Sequence, residues 1–204
     1  MHTTYGIFPV PIYCNYLERG FTVEEMDAIQ SYATDCQVGI SGNNMSNNAS
    51  VLDNPALKDL KAFVEQNIAT YLAEVEAPSD DVGAYITHSF LNFIDKGQGH
   101  FRHAHFNSFI SGVLYINANR DTDRIHFYRE KYSYFPHFNR KSNNGFNADS
   151  WQFPVWTGRL ILFPSHIQHS VEVTDSNYTR ISLAFNTFLK GEIGNKQTYD
   201  NLRL

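Results

Sequence analysis

Tyr178-Thr179-Arg180-Ile181-Ser182-Leu183-Ala184-Phe185 alternates along its whole length. Side chains of a strand point to opposite faces in turn, so Tyr178, Arg180, Ser182 and Ala184 share one face and Ile181, Leu183 and Phe185 the other. The second set is apolar and belongs in a sandwich core or beneath helices. The first set places a guanidinium mid-strand. If that face lines the inside of a barrel, a buried Arg demands an anionic partner. A carboxylate held bidentately is the natural candidate, with Ser182 adding a hydrogen bond.

The same two-residue period governs most of the chain from Val82 onward. It predicts strands over Ala84 to Phe93, Phe109 to Asn117, Arg124 to Arg129, Arg159 to Phe163, His169 to Val173 and Tyr178 to Leu189, separated by Gly, Asn, Asp and Pro. Helical spacing dominates earlier. Thr22-Val23-Glu24-Glu25 is a capping box that opens a helix towards Cys36. Asn54-Pro55 reads as an N-cap followed by Pro at the first helical position, and Leu57, Leu60, Phe63, Val64, Ile68, Tyr71 and Leu72 keep helical spacing to about Glu74. Pro78 to Asp81 ends that helix. Ile7 to Tyr13 reads as a short strand and Gly39 to Ser50 as loop. The fold class expected is mainly β with flanking helices: a jelly roll with two N-terminal helices packed on the barrel. One domain is expected over 1–204, with strand and helices in 1–80, the jelly-roll core in 81–190 and a C-terminal tail in 191–204. An aromatic-rich insertion, 130–157, interrupts the core as a candidate lid.

Composition bounds the function. The chain has 204 residues, rich in Phe and Tyr, with a formal net charge of −5. A mildly acidic chain has no general attraction to nucleic acid or anionic membranes, and no partner of either kind is expected. No run of apolar residues is long enough to span a bilayer, and Met1 to Val10 lacks a signal-peptide pattern. Cys14 and Cys36 form no CxxC and are expected to be free thiols in a reducing, cytoplasmic setting.

The chemistry-bearing residues are histidines. His103 and His105, at i and i+2 on an extended segment, point to one face, and a distant strand supplies His169. Three such ligands on one side of a divalent ion leave positions open for reactants. The usual iron set has two His and one carboxylate, and Asp95 or Glu172 could join or replace one His, although Glu172, at i+3 from His169, should face away. Three neutral imidazoles also suit zinc with a bound water. His100, three residues before His103, is expected to face the other way, and His166 to be structural. His88 and His126 read as sheet histidines, and His137 has no partner at ligand spacing. The residues thus leave open an iron oxygenase with a dicarboxylic cosubstrate, a three-His metal enzyme without one, and a non-catalytic jelly-roll module. A buried Arg180 discriminates, because only the first requires it.

From Asn92 to Phe188 these pieces fall into an ordered pattern: His103-Ala104-His105, Ser111-Gly112-Val113-Leu114-Tyr115, Gly158-Arg159-Leu160-Ile161-Leu162-Phe163-Pro164, His169-Ser170-Val171, and Arg180-Ile181-Ser182-Leu183-Ala184-Phe185-Asn186. The chain resembles the 2-oxoglutarate and Fe(II)-dependent oxygenases, especially the prolyl-4-hydroxylase-like group, and most nearly the uncharacterised oxygenases of marine phages and bacteria. In the wider superfamily an Asp stands two residues after the first ligand His; His105 occupies that position here. The resemblance implies a double-stranded β-helix whose mouth holds Fe(II). His103, His105 and His169 would be the metal ligands, and Arg180, Ser182 and Tyr115 the binders of the 2-oxoglutarate distal carboxylate. The cofactors implied are Fe(II), 2-oxoglutarate and O2. The reaction implied is hydroxylation of a C–H bond in an unidentified small molecule or peptide, with release of succinate and CO2. The insertion carries Arg129, Lys131, Arg140 and Lys141 against Glu130, a local positive excess that suits either an anionic substrate or an ordinary solvated face, and Phe135, Phe138, Trp151 and Trp156 are candidates for stacking on a ring or peptide or for covering the barrel.

Overall fold

Thr22 caps helix α1 (Val23–Ser31) as its sequence implied. Its hydroxyl accepts from the Glu25 amide, and the Glu25 carboxylate accepts from the Thr22 amide at 2.8 Å. Arg19 grips both oxygens of the same carboxylate at 2.6 and 2.8 Å, holding the buried Glu25 below the ordinary carboxylate range. The second helix begins with a 3-10 turn, Pro55–Leu57, capped by Asn54, and continues as α2 (Lys58–Tyr71). It ends in a wider turn, Leu72–Glu76, closed by Ala77 in the left-handed conformation. The computed structural model describes residues 2–40, 42–78, 82–130 and 139–204; part of the expected insertion (131–138, with Lys131, Phe135, His137 and Phe138) and most of the expected break at 78–81 lie outside the described residues.

The strands are β1 (Tyr13–Tyr16), β2 (Cys36–Val38), β3 (Asn44–Ser46), β4 (Val82–Ile94), β5 (His100–His103), β6 (Ile110–Asn117), β7 (Arg124–Tyr128), β8 (Ser150–Pro154), β9 (Arg159–Pro164), β10 (His169–Val171), β11 (Arg180–Ile193) and β12 (Leu202–Arg203). They form two antiparallel sheets. The larger runs β1-β9-β6-β11-β4-β3-β2, with β12 on β11; the smaller runs β5-β10-β7-β8. Three readings of the N-terminal region and insertion change. The first strand is Tyr13–Tyr16, not Ile7 to Tyr13: Ile7, Phe8 and Val10 are exposed, and β1 finds its partner in β9. The segment 39–50 is not all loop. Asn44–Ser46 adds to the edge formed by β4, and β2 pairs with it. Within 130–157, Ser150–Pro154 extends the smaller sheet. Asn44–Ser46 is short and mostly polar and carries no alternation signal, which is why it read as loop.

Alternation in the larger sheet is sharp, and both faces are covered. Leu91 and Phe93 of β4, Ile110, Leu114 and Ile116 of β6, Leu160 and Leu162 of β9, and Ile181, Leu183 and Phe185 of β11 share one buried cluster with Ile29 of α1 and Leu60, Val64 and Ile68 of α2. The intervening residues turn inward: Phe90, Asn92 and Ile94, then Val113 and Tyr115, then Arg180, Ser182 and Ala184 line a pocket between the two sheets. A second apolar cluster, including Tyr115, Ile125, Phe127, Ile161 and Phe163, fills the inter-sheet space. Gly112 is the tightest point: a Cβ there would sit 2.2 Å from the Phe185 ring. No described helix is long and apolar enough to cross a membrane, and both cysteines are free.

Candidate metal centre and anion pocket

Two neighbouring strands bring the histidines together. β5 and β10 pair with His103 directly opposite His169. His105 lies beyond the end of β5, in the loop to β6, so the pleat of a strand does not place it. Its backbone N–H donates to the Ser165 carbonyl at 2.9 Å, tying the loop to the turn that leads into β10. Asn107 makes that turn in the left-handed region, which Asn tolerates. Ser165 is buried, and its hydroxyl meets those of Ser108 and Ser111 at 2.8 Å. One nitrogen from each of His103, His105 and His169 lies within 4.8 Å of the others, and among the described residues no carboxylate joins this group.

The tautomers are set by the backbone. His103 Nδ1 lies 2.8 Å from the Phe101 carbonyl and His169 Nδ1 3.2 Å from the Ile167 carbonyl. A carbonyl only accepts, so Nδ1 carries the proton and Nε2 keeps its lone pair. Burial also keeps the rings neutral. The pKa of His169 is pushed down to about 3, first by desolvation and then by His103 and His105. Desolvation and His103 take His105 to about 4. His103 is lowered by burial, against the Phe101 carbonyl.

His100 corrects the sequence reading. It stacks on His103, centroids 4.3 Å apart, and lines the same pocket. Four residues of β5, His100 to His103, oppose only three of β10, His169 to Val171. This bulge cancels the alternation that would have turned His100 away. The two candidate carboxylates lie elsewhere. Asp95 accepts a hydrogen bond from Thr179, and Glu172 faces His126 at 3.2 Å on the outside. His88 and His166 are exposed.

Arg180 sits in the same pocket, 3% exposed. Ser182 and Tyr115 are both buried and directly opposed across β11 and β6. Burial raises the Tyr115 hydroxyl well above its ordinary value, against the pull of Arg180. The structure also supplies a partner that sequence reading missed. Asp123, 1% exposed at the turn before β7, accepts from Arg180 Nη1 at 3.2 Å. Arg180 Nη2 is buried and has no hydrogen-bond partner among the described residues. Of the candidate stacking and basic residues of the insertion, Trp156 and Arg129 have partners of their own within the fold. Trp156 lies beneath Arg120 and Arg159, Arg129 donates to the Gly145 and Phe146 carbonyls, and Trp151 is exposed.

Comparison with known proteins bears on this arrangement. Residues 88–186, which hold all three histidines, Asp123 and Arg180, match the family described as "Putative 2OG-Fe(II) oxygenase". This stretch, just under half of the chain, is similar to the 2OG-Fe(II) oxygenases of that family. Solved structures agree in fold. A prolyl-4-hydroxylase from Pseudomonas putida is 15% identical, with 87% of this chain and 92% of that one covered, TM-score 0.53. A prolyl hydroxylase from Trichoplax adhaerens, in complex with a hypoxia inducible factor peptide fragment, is 17% identical, with 89% and 84% covered, TM-score 0.59. The epimerase SnoN, in complex with Fe3+, alpha ketoglutarate and nogalamycin RO, is 9% identical, with 88% and 79% covered, TM-score 0.64. No curated protein matches the sequence.

Proposed function

We propose that the protein is an Fe(II)- and 2-oxoglutarate-dependent dioxygenase that hydroxylates a C–H bond of a small-molecule or peptide substrate. The observation that carries this reading is the juxtaposition, in one pocket, of three neutral imidazoles with a buried guanidinium whose Nη2 is unpaired among the described residues. The donor set fits the group. Imidazole suits iron, and three ligands leave positions for reactants. A buried N–H without a partner costs on the order of 1–3 kcal/mol, and a carboxylate at Arg180 removes that cost. When bound, the iron with 2-oxoglutarate and O2 supplies the oxidising equivalent for C–H hydroxylation, leaving succinate and CO2.

The chain's own residues do the rest. His103, His105 and His169 hold the ion through neutral nitrogens, with the first and last oriented by the Phe101 and Ile167 carbonyls. Arg180 receives the distal carboxylate through Nη2, and Ser182 and Tyr115 stand beside it as further donors. The apolar walls of Ile94, Val113, Ile125 and Phe163 exclude water from the space between. The deciding experiment loads the protein with Fe(II) without oxygen, adds 2-oxoglutarate, admits O2 and measures succinate. Succinate formation that requires both Fe(II) and 2-oxoglutarate is expected. Stoichiometric Fe(II) with no succinate, with or without candidate substrates, would sink the reading.

A further inference from the structure

We infer that Asp123 is a positioning residue for cosubstrate recognition: by holding Arg180 through Nη1 it aims Nη2 at the pocket and thereby selects 2-oxo acids with a distal carboxylate. The inference rests on the proposed role of Arg180 as cosubstrate anchor.

The geometry specifies a carboxylate at this position. One oxygen, Oδ1, accepts from Arg180 Nη1 at 3.2 Å. The other, Oδ2, accepts from the Tyr178 hydroxyl at 2.6 Å and from the Asn119 amide at 2.8 Å. Both oxygens therefore face donors, and only an acceptor-only group satisfies them. An Asn side chain would turn its NH2 either on Arg180 or on the Asn119 amide. The backbone of Asp123 is fixed as well: its N–H donates to the Asn119 carbonyl at 2.8 Å, and its carbonyl accepts from Val155 N at 3.1 Å and Arg124 Nη1 at 2.8 Å. A guanidinium fixed on one edge by an immobile carboxylate presents its remaining N–H groups in one direction, which is what planar recognition of a second carboxylate needs. Tyr178 and Asn119 reach Asp123 without lining the pocket, so their effect on a ligand passes through it.

The test is calorimetric binding of two ligands to the Fe(II)-loaded, oxygen-free protein: 2-oxoglutarate, and 2-oxobutanoate, which keeps the chelating 2-oxo acid and lacks the distal carboxylate. The wild-type protein should bind 2-oxoglutarate at least about 10-fold more tightly, one charge-assisted contact's worth. Asp123→Asn should bring the two affinities within about 3-fold of each other, with Fe(II) stoichiometry and 2-oxobutanoate affinity unchanged. Tyr178→Phe, which removes one donor to Asp123 and leaves the Arg180 contact in place, should lower the ratio part of the way. An unchanged or increased ratio in Asp123→Asn overturns the inference while the anchor role of Arg180 stands. If that variant does not fold, an unchanged ratio in Tyr178→Phe overturns it instead. A wild-type protein that does not discriminate refutes the anchor role, and the inference with it.

Discussion

Acidifying the metal-free protein should unfold it far sooner than its carboxylates would. Three pocket imidazoles are held neutral in the folded state: His169 at a pKa of about 3, His100 and His105 at about 4, each chiefly by desolvation. In the unfolded chain each titrates near the ordinary value of about 6.5. A His whose folded pKa is depressed favours the unfolded state as soon as pH falls below 6.5, because only the unfolded chain takes up the proton. Between pH 7.5 and 5.5 each such residue costs about 1.4 kcal/mol, so three together cost up to about 4 kcal/mol. That is a large part of a typical stability of about 5–15 kcal/mol. Glu25, lowered by Arg19, does not offset this. Its contribution is present above the unfolded carboxylate pKa of about 4.3, and is lost only as pH falls through its folded value. Urea unfolding at the two pH values measures the difference, expected as a midpoint lower by about 1–2 M for a chain of this size. His169→Phe, placed against Phe163 and Phe127, should remove about a third of the slope. Equal midpoints at pH 7.5 and 5.5 would mean that the imidazoles are hydrated in the folded protein, and that the pocket is not the dry site described above.

Other perturbations follow from single contacts. Arg180→Ala should weaken 2-oxoglutarate binding by about 2–5 kcal/mol with Fe(II) content unchanged; it should also lower stability by about 3 kcal/mol without any ligand, because Asp123 is left buried beside an empty space. Unaltered cosubstrate affinity, measured by calorimetry, would argue for another anchor. His105→Ala should lose most iron affinity, whereas His105→Asp should bind iron and turn over poorly; iron stoichiometry and succinate measured side by side check both, and an Ala variant with full iron would remove His105 from the ligand set. Gly112→Ala should destabilise by about 1–3 kcal/mol in thermal or urea unfolding, since its Cβ would meet Phe185 and Leu162 at 2.2–2.6 Å.

Long, two-faced strands were the legible part of the fold. β4, β6, β9 and β11 alternate because one face meets the helices and the other a pocket, and both demands are written residue by residue. The capping box at Thr22 and the Asn54-Pro55 start are local chemistry and were equally plain. Short edge strands such as Asn44–Ser46 take their conformation from a neighbour's hydrogen bonds and carry no pattern of their own. Within the site, His103, His105 and His169 were readable as a set, but the reason for their convergence was not. His105 is placed by a loop hydrogen bond to Ser165, not by strand alternation. His100 was misread because a bulge is invisible to a rule that counts residues in twos. Asp123 went unnoticed because Asn119-Arg120-Asp121-Thr122-Asp123 reads as an ordinary polar turn, and nothing local tells a turn Asp that caps a loop from one that reaches a strand Arg 57 residues away.

Charge gives the two unusual features a common cause. On the proposed reading, three neutral imidazoles leave a divalent ion at +2, and a dianionic cosubstrate cancels it. A free Arg180 in the same dry pocket would then be one positive charge too many, and an uncompensated buried charge costs several kcal/mol. Where a carboxylate ligand replaces one His, the ion and its ligands carry +1 and an unpaired Arg completes the balance. With His105 as the proposed third ligand, the missing negative charge is supplied instead by Asp123, behind the guanidinium. The Asp123–Arg180 pair is formally neutral, so Arg180 contributes direction and hydrogen bonding more than net attraction. On the proposed reading, a His at position 105 and an Asp at position 123 are therefore two halves of one electrostatic solution.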